Sequence, residues 1–424
     1  MVAPMRHPIV ATIVTLLLAC GCTSAPPPAA DSDLSAFIDN IRAVDNHSHA
    51  NSITPGDTDA DALPLDGVAP FEIPATLRPE HPNWLAARTA MQAVPVGQGE
   101  KFPTLVLDLI GTEVLLANRI EMGPGLSAPR FRWVSYVDAL MLPLSTKAEA
   151  AASPDRGQLF PLEEKLLQRY LSQLKITRRP ETLDAYLKTV VTPTLEAQRK
   201  GGCVAVKFEV AYLRSLDFAE ASAERAGPIY AKYAGGGEPP SADYKLLQDF
   251  LFRYIAREAG RLGMAVHIHS FEGAGNYFGA GGADPLLLES AFNDPALRET
   301  YFVIIHGGGV FSAHAGAMLW KPNVYADTSL MTLAYAPDTL AEVLRGWLSQ
   351  YPEKVLFGSD AAAFGPDLGW EVAAWIATRN ARTALALALT GMIRSGEVSR
   401  PRAEQIATMV MRTNASRLYK LELK

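Results

Sequence analysis

Five of the eight histidines in this 424-residue chain, His47, His49, His267, His269 and His306, fall at the ends of short apolar runs. A neutral imidazole binds borderline divalent metals and carries protons near neutral pH, so histidines placed this way can do chemistry. Asp45-Asn46-His47-Ser48-His49 places two of them at i and i+2, which on a strand point to one face. Val266-His267-Ile268-His269 repeats that geometry. Val303-Ile304-Ile305-His306 ends another apolar run and is followed by Gly307-Gly308-Gly309, which lets the backbone turn sharply. Val355-Leu356-Phe357-Gly358-Ser359-Asp360 closes a further run on a carboxylate. A lone His-x-His is weak evidence, because a histidine can be a satisfied core residue. Several histidines and an aspartate on separate strand ends can converge on one ion. Each would otherwise need its own buried hydrogen-bond partner.

Something must bring those ends together. Apolar runs read as strands finish near His49, Asn118, Asp138, Lys207, His269, His306, Asp327 and Asp360, and they alternate with helical stretches. That pattern predicts a distorted (β/α)8 barrel, an α/β fold. The plainest helix is Asp243 to Arg261, whose Leu246, Leu247, Phe250, Leu251, Tyr254 and Ile255 form an apolar stripe before Gly263 ends it. Two long segments exceed a minimal barrel, Asn51 to Lys101 after the first strand and Ser145 to Lys200 after the third. Both should emerge on the face where the strands end and shape a substrate site there.

Composition narrows the field. With 48% hydrophobic and 20% charged residues the chain reads as globular, and its net charge of −6 without a basic block argues against a nucleic-acid partner. Gly-Gly-Gly without the lysine and serine of a phosphate cradle gives nucleotide binding little support. Three cysteines, Cys20, Cys22 and Cys203, exclude a disulfide scaffold, and Cys203 within an apolar run reads as an inert thiol. Arg6 and His7 precede the uncharged run Ile9 to Leu18, and Leu17-Leu18-Ala19-Cys20 follows. This resembles a bacterial lipoprotein signal, with residues 1–19 removed and Cys20, or in reserve Cys22, carrying lipid. Residues 20–36 are expected to be a tether, and residues 37–424 a barrel held outside the cytoplasm, touching membrane only through that lipid.

The ordered set of motifs resembles the metal-dependent amidohydrolase superfamily, particularly its amidohydrolase-related branch. The elements that carry the resemblance are Val44 to His49, Val266 to His269, Ile305 to Gly308, Asn323 to Ser329 and Leu356 to Asp360. The terminal Thr413-Asn414-Ala415-Ser416-Arg417-Leu418-Tyr419 also looks like that branch's closing helix. The resemblance spans most of residues 37–424, and Asn51 to Lys101 has no match. It implies a metal-activated water, with one or two divalent ions of which zinc best suits nitrogen-rich ligands.

By the same resemblance, His47 and His49 match the first-strand ligands and His269 the fifth-strand ligand, with His267 left for support or substrate contact. His306 matches the sixth-strand histidine, and Asp360 the carboxylate that orients water and accepts its proton. Lys207 matches the position of a carboxylated bridging lysine, but it can equally be a plain cation for an acidic substrate, or a snorkelling surface residue. Glu209 shares its face. Tyr212 and Arg214 belong to a run similar to the amidohydrolase-like half of proteins fused to glutamine synthetase. Arg214 could grip a substrate carboxylate or form a structural ion pair. The expected activity is hydrolysis of a small amide, ester or related bond, on a substrate that can carry a carboxylate. The rivals are a decarboxylase or lyase on the same barrel, and a catalytically silent envelope-binding lipoprotein.

Overall fold

The computed structural model describes residues 29–64, 77–95, 97–271, 278–365 and 368–423. Its centre is a parallel sheet of eight strands in chain order. They are β1 (Ala43–Ser48), β2 (Thr112–Asn118), β3 (Phe131–Tyr136), β4 (Cys203–Phe208), β5 (Ala265–His269), β6 (Phe302–Ile305), β7 (Val324–Asp327) and β8 (Val355–Leu356). Every strand is buried on both faces over most of its length, which favours runs such as Phe302-Val303-Ile304-Ile305 rather than alternation. The eight observed strand ends fall close to the expected positions, and the fold is the expected (β/α)8 barrel.

Closure between β8 and β1 happens at the site itself. Beyond Leu356 the chain runs on irregularly beside β1. Asn46 N donates to Phe357 O at 2.9 Å, Asp360 N to His47 O at 2.8 Å, and His49 N to Ala361 O at 2.8 Å. Asp45 reinforces the seam by accepting from Ser359 N at 3.0 Å. Burial pushes the Asp45 carboxyl up to about 7.

Two apolar layers hold the barrel. The outer one packs strand residues such as Val206, Phe208, Val266, Ile268, Phe302 and Ile304 against the helices. The inner one fills the lumen with Val44, Leu116, Val134, Ala205, Val303 and Ile305, and the C-terminal residues Ala415, Tyr419 and Leu421 plug it from beneath. Along β5 the alternation is clean, so Ala265, His267 and His269 face inward at three successive heights. Tyr419, on the short helix Asn414–Tyr419, sends its hydroxyl up to Asn46 Oδ1 and lies 2.7 Å from His267 Nε2.

One boundary differs from expectation. The first element among the described residues is a helix at Ser32–Asp39, capped by Asp31, whose Oδ1 accepts from Leu34 N at 2.9 Å. Leu34 and Ile38, one helical turn apart, are buried against the long helix Trp370–Arg394. Residues 32–36 are therefore part of the barrel's wall rather than of a tether. The signal segment, Cys20 and Cys22 lie outside the described residues. Among the described residues no helix is long and apolar enough to cross a membrane.

The plug supplies both apolar area and hydrogen bonds, so Tyr419→Ala should destabilise the protein by about 3–5 kcal/mol in urea unfolding. Tyr419→Phe should cost about 1–3 kcal/mol, because it strands buried polar atoms of His267 and Asn46. A near-neutral Tyr419→Ala would mean that the plug is dispensable.

Candidate metal centre

Three residues from the ends of β1, β6 and β8 meet at the top of the lumen. His47, His306 and Asp360 each offer a ligand atom, and these atoms lie within 4.8 Å of one another. His47 Nε2 is 3.0 Å from Asp360 Oδ1, and His49 Nε2 is 3.4 Å from the same oxygen. His306 Nδ1 is 3.9 Å from Asp360 Oδ2. Asp360 Oδ1 is buried between the rings of His47 and His49, and its charge depends on them. Ligand atoms that converge this closely from three strand ends suit a common central cation. The donor set of imidazoles plus one carboxylate fits zinc or a similar borderline ion.

Backbone conformation explains how the strand ends achieve this. His306 and Asp360 both sit in the left-handed region, at φ 65° and 56°. Such residues are uncommon outside glycine, although His and Asp tolerate the region better than most. On a regular β6, with Val303 and Ile305 facing the lumen, His306 would point outward; the left-handed turn swings it to the axis. A register irregularity between Asp45 and Ser48 plays the corresponding part in β1, so that Asn46 and His47 both reach the interior.

The electrostatics favour ligation. Burial holds the imidazoles of His47 and His306 well below the usual histidine range, and Lys207 pushes in the same direction. Both rings are neutral at pH 7 and can offer a lone pair. Burial opposes the charge on Asp360, but His306, His47 and His49 outweigh it and hold its carboxyl well below the usual range. Burial also opposes the charge on His49; Asp61 and Asp360 overcome it and raise that ring's pKa.

A hydrogen-bonded floor fixes the rings from below. Ser329 Oγ donates to Asp327 Oδ1 at 2.7 Å, which leaves its lone pairs for His306 Nδ1 at 2.9 Å. His306 therefore carries its proton on Nδ1 and its lone pair on Nε2. Asp327 also accepts from His306 N and from Asn46 Nδ2, both at 2.8 Å. Asn118 Nδ2 lies 2.9 Å from His47 Nδ1 and donates to Ser48 O, holding that ring by its far edge.

The remaining expected residues separate into groups. His269 lies beside His306, with ring centroids 4.6 Å apart, but outside the tight group of three. Tyr212 covers it, 4.2 Å from ring to ring. Lys207 is fully buried, with Nζ 3.4 Å from His47 Nε2, so it is no snorkelling surface residue. Its burial lowers the amine's pKa, an effect that Glu209 and Asp360 oppose.

Two expectations are corrected. His267 lies a layer below the centre, fully buried and bonded to Tyr419, so it supports the floor and does not meet substrate. Arg214 uses four of its five donors inside the protein, on Ser215 O, Gln248 Oε1, Asp217 O and Asp249 Oδ1. It anchors the helix Ser241–Arg261 and is not a carboxylate grip. Cys203 is the expected inert thiol, with burial pushing its pKa up to about 12.

Sequence reasoning missed Asn46, Asp327, Ser329 and Tyr419 as parts of the site, and missed Asp61 altogether. Asp61 Oδ2 stands 3.5 Å from His49 Nδ1, and Tyr136 Oη is 3.1 Å from that nitrogen. The signal was present in Asp57-Thr58-Asp59-Ala60-Asp61, three alternating carboxylates just after the His-x-His strand. Asp57 pairs with Arg119 at 2.8 Å, and Asp59 grips Arg169 at 2.6 and 3.0 Å.

The amidohydrolase family model matches residues 218–421, just under half of the chain and the part that carries His269, His306, Asp327 and Asp360. No curated protein matches the sequence. Among solved structures, a candidate metal-dependent hydrolase from Lactobacillus casei ATCC 334 is similar with a TM-score of 0.65 at 16% identity, over 91% of this chain and 97% of that one. Uronate isomerase from Thermotoga maritima gives 0.57 at 12% identity, over 91% and 96%. Glucuronate isomerase from Caulobacter crescentus gives 0.57 at 14% identity, over 92% and 94%. At such identities the likeness establishes a shared fold.

Behind Lys207 lies a buried acidic group. Both carboxylate oxygens of Glu163 are buried without a hydrogen bond, and burial, reinforced by Asp138 and Asp61, raises its pKa well above the usual value. A carboxyl raised in the folded state stabilises it below the unfolded value of ~4.3 and loses that contribution as pH climbs towards the folded value. The Glu163 contribution to stability should therefore fall as pH rises from 4.5 to 8. Glu163→Gln should flatten that loss by about 1–3 kcal/mol in urea titrations at the two pH values. Parallel curves for the two proteins would show that Glu163 does not hold a proton.

Proposed function

We propose that the protein is a metal-dependent hydrolase of the amidohydrolase superfamily, acting on a small amide, ester or related bond. The observation that carries this reading is the meeting of buried His47 and His306 with half-buried Asp360, their ligand atoms within 4.8 Å of one another, at the carboxyl ends of barrel strands. His47, His49, His306 and Asp360 would hold the ion, with His269 beside them, and zinc is the ion their chemistry suits best. Such an ion supplies Lewis acidity and can bring the pKa of water towards ~7.

The chain's own groups do the rest. Asp360, kept ionised by its histidine neighbours, accepts the proton that water loses and returns it to the leaving nitrogen or oxygen. His306 keeps Nε2 unprotonated because Ser329 and Asp327 hold the proton on Nδ1. Tyr212, over His269, forms one wall for the substrate. Lys207, in its carboxylated form, would supply anionic oxygen to a second ion; as an ammonium it would meet an acidic substrate. A lipid on Cys20, or on Cys22, would hold the enzyme at the cell envelope.

A second reading is isomerisation of a sugar acid. It is favoured by two uronate isomerase folds that align over nine-tenths of this chain, and by a buried amine at Lys207 suited to a carboxylate.

The purified protein should contain one or two zinc ions by elemental analysis and should hydrolyse members of an amide and ester panel. The His47→Ala, His49→Ala double variant should lose both properties, and Lys207→Ala should lose one ion if two are present. Unchanged metal in the double variant would sink the site. Conversion of glucuronate without hydrolysis of any panel member would replace the first reading with the second.

Localisation has its own test. Cells fed a labelled fatty acid should label the wild-type protein, and Cys20→Ala should abolish the label. Retained label in that variant would assign the lipid to Cys22, and no label in wild type would reject the anchor.

A further inference from the structure

The insertion after β1 is too long for a connection and matches nothing by resemblance, yet it delivers one carboxylate to the edge of the centre. We propose that Asp61 and Tyr136 act in series as positioning residues that hold His49 ready for the metal, an inference that rests on the metal-centre reading above. One arrangement of protons leaves Nε2 of His49 free for a metal. Tyr136, at the end of β3, has its hydroxyl 3.1 Å from His49 Nδ1, and burial, with the charge of nearby Asp61, raises the phenol's pKa well above the usual range. A neutral phenol has one proton, and an ionised carboxylate can only accept. In it the Tyr136 proton goes to Asp61, and a Tyr136 lone pair accepts from His49 Nδ1–H. That fixes the proton of His49 on Nδ1 and turns a bare Nε2 towards Asp360, 3.4 Å away. Asp61 itself is 3.5 Å from His49 Nδ1, too far for a good direct bond, so the phenol is the link.

The loop is built to hold that carboxylate still. Asp57 accepts from Ser52 N at 2.8 Å and pairs with buried Arg119 at the end of β2. Asp59 takes both arms of Arg169, from the helix Phe160–Gln173 in the other long insertion, and its carbonyl accepts from Ile120 N at 2.9 Å. Asp61 Oδ1 accepts from Leu63 N at 3.2 Å, which leaves Oδ2 for the site. Of the three alternating aspartates, two anchor the strap and the third is presented to the centre. Carboxylates that orient a ligating histidine typically matter 10–100-fold for metal affinity.

Zinc affinity, measured by chelator competition on the purified full chain, tests the relay. Asp61→Asn and Tyr136→Phe should each weaken zinc by about 10–100-fold. Because the two act in series, the double variant should bind no more weakly than the weaker single variant. Single variants within twofold of wild type, or a double variant whose losses multiply, would overturn the relay while leaving the metal centre intact. Wild type without measurable zinc affinity would remove the metal reading and the relay with it. A second measurement needs no metal: long-range proton–nitrogen spectra of the apo protein, at alkaline pH where the ring is neutral. They should show His49 as the Nδ1–H tautomer in wild type and as a mixture in Tyr136→Phe. A Nε2–H tautomer in wild type would also overturn the proposal.

Discussion

Asp360 carries its negative charge at the top of a lumen whose apolar lining includes Val44, Leu116, Val303 and Ile305, and the rest of the site is arranged around that charge. An isolated buried carboxylate would take up a proton. Here the neighbouring imidazoles keep it ionised, with His47 Nε2 at 3.0 Å and His49 Nε2 at 3.4 Å from its Oδ1. Neutral rings, a forced anion and a buried lysine in one pocket make a poor structural core. They make a good receptacle for a small cation, because a cation satisfies the lone pairs of His47, His306 and Asp360 together.

Holding such a pocket open takes support from two directions. From beneath, Tyr419 reaches up through the lumen and joins His267 to Asn46, and Asn46 joins Asp327, whose other oxygen holds His306 N and Ser329. A helix more than a hundred residues beyond His306 in sequence thereby helps to set the proton position on that ring. From the side, the Asp57-to-Asp61 strap is pinned to β2 and to the second insertion. The barrel alone places ligands to within a strand end, and these two supports set the ring edges.

Much of this was legible in the sequence. Apolar runs ending on polar residues marked all eight strands, since a strand buried on both faces must read as such a run. The i, i+2 histidines of β5 face inward, but at different heights, and height along a strand depends on the barrel's stagger, which no local pattern carries. For that reason His267 belongs to the floor rather than to substrate. The inward aim of His306 and Asp360 comes from left-handed backbone, and only the Gly-Gly-Gly after His306 hinted at it. Arg214 stayed open in the sequence because its partner, Asp249, lies on the next long helix, and the choice between a clamp and an ion pair rests on contacts between elements. Asp61 lacked any periodic context. Its alternating neighbours become meaningful only when Arg119 and Arg169 are seen to face them.

The central claim is that one cation sits among His47, His306 and Asp360. Anomalous diffraction from zinc-loaded crystals, recorded on both sides of the zinc absorption edge, tests it most directly. The account predicts a peak about 2.0–2.2 Å from a ring nitrogen of His47, a ring nitrogen of His306 and a carboxylate oxygen of Asp360. A fully loaded crystal with no peak in that pocket, or with zinc only at surface sites, would contradict it.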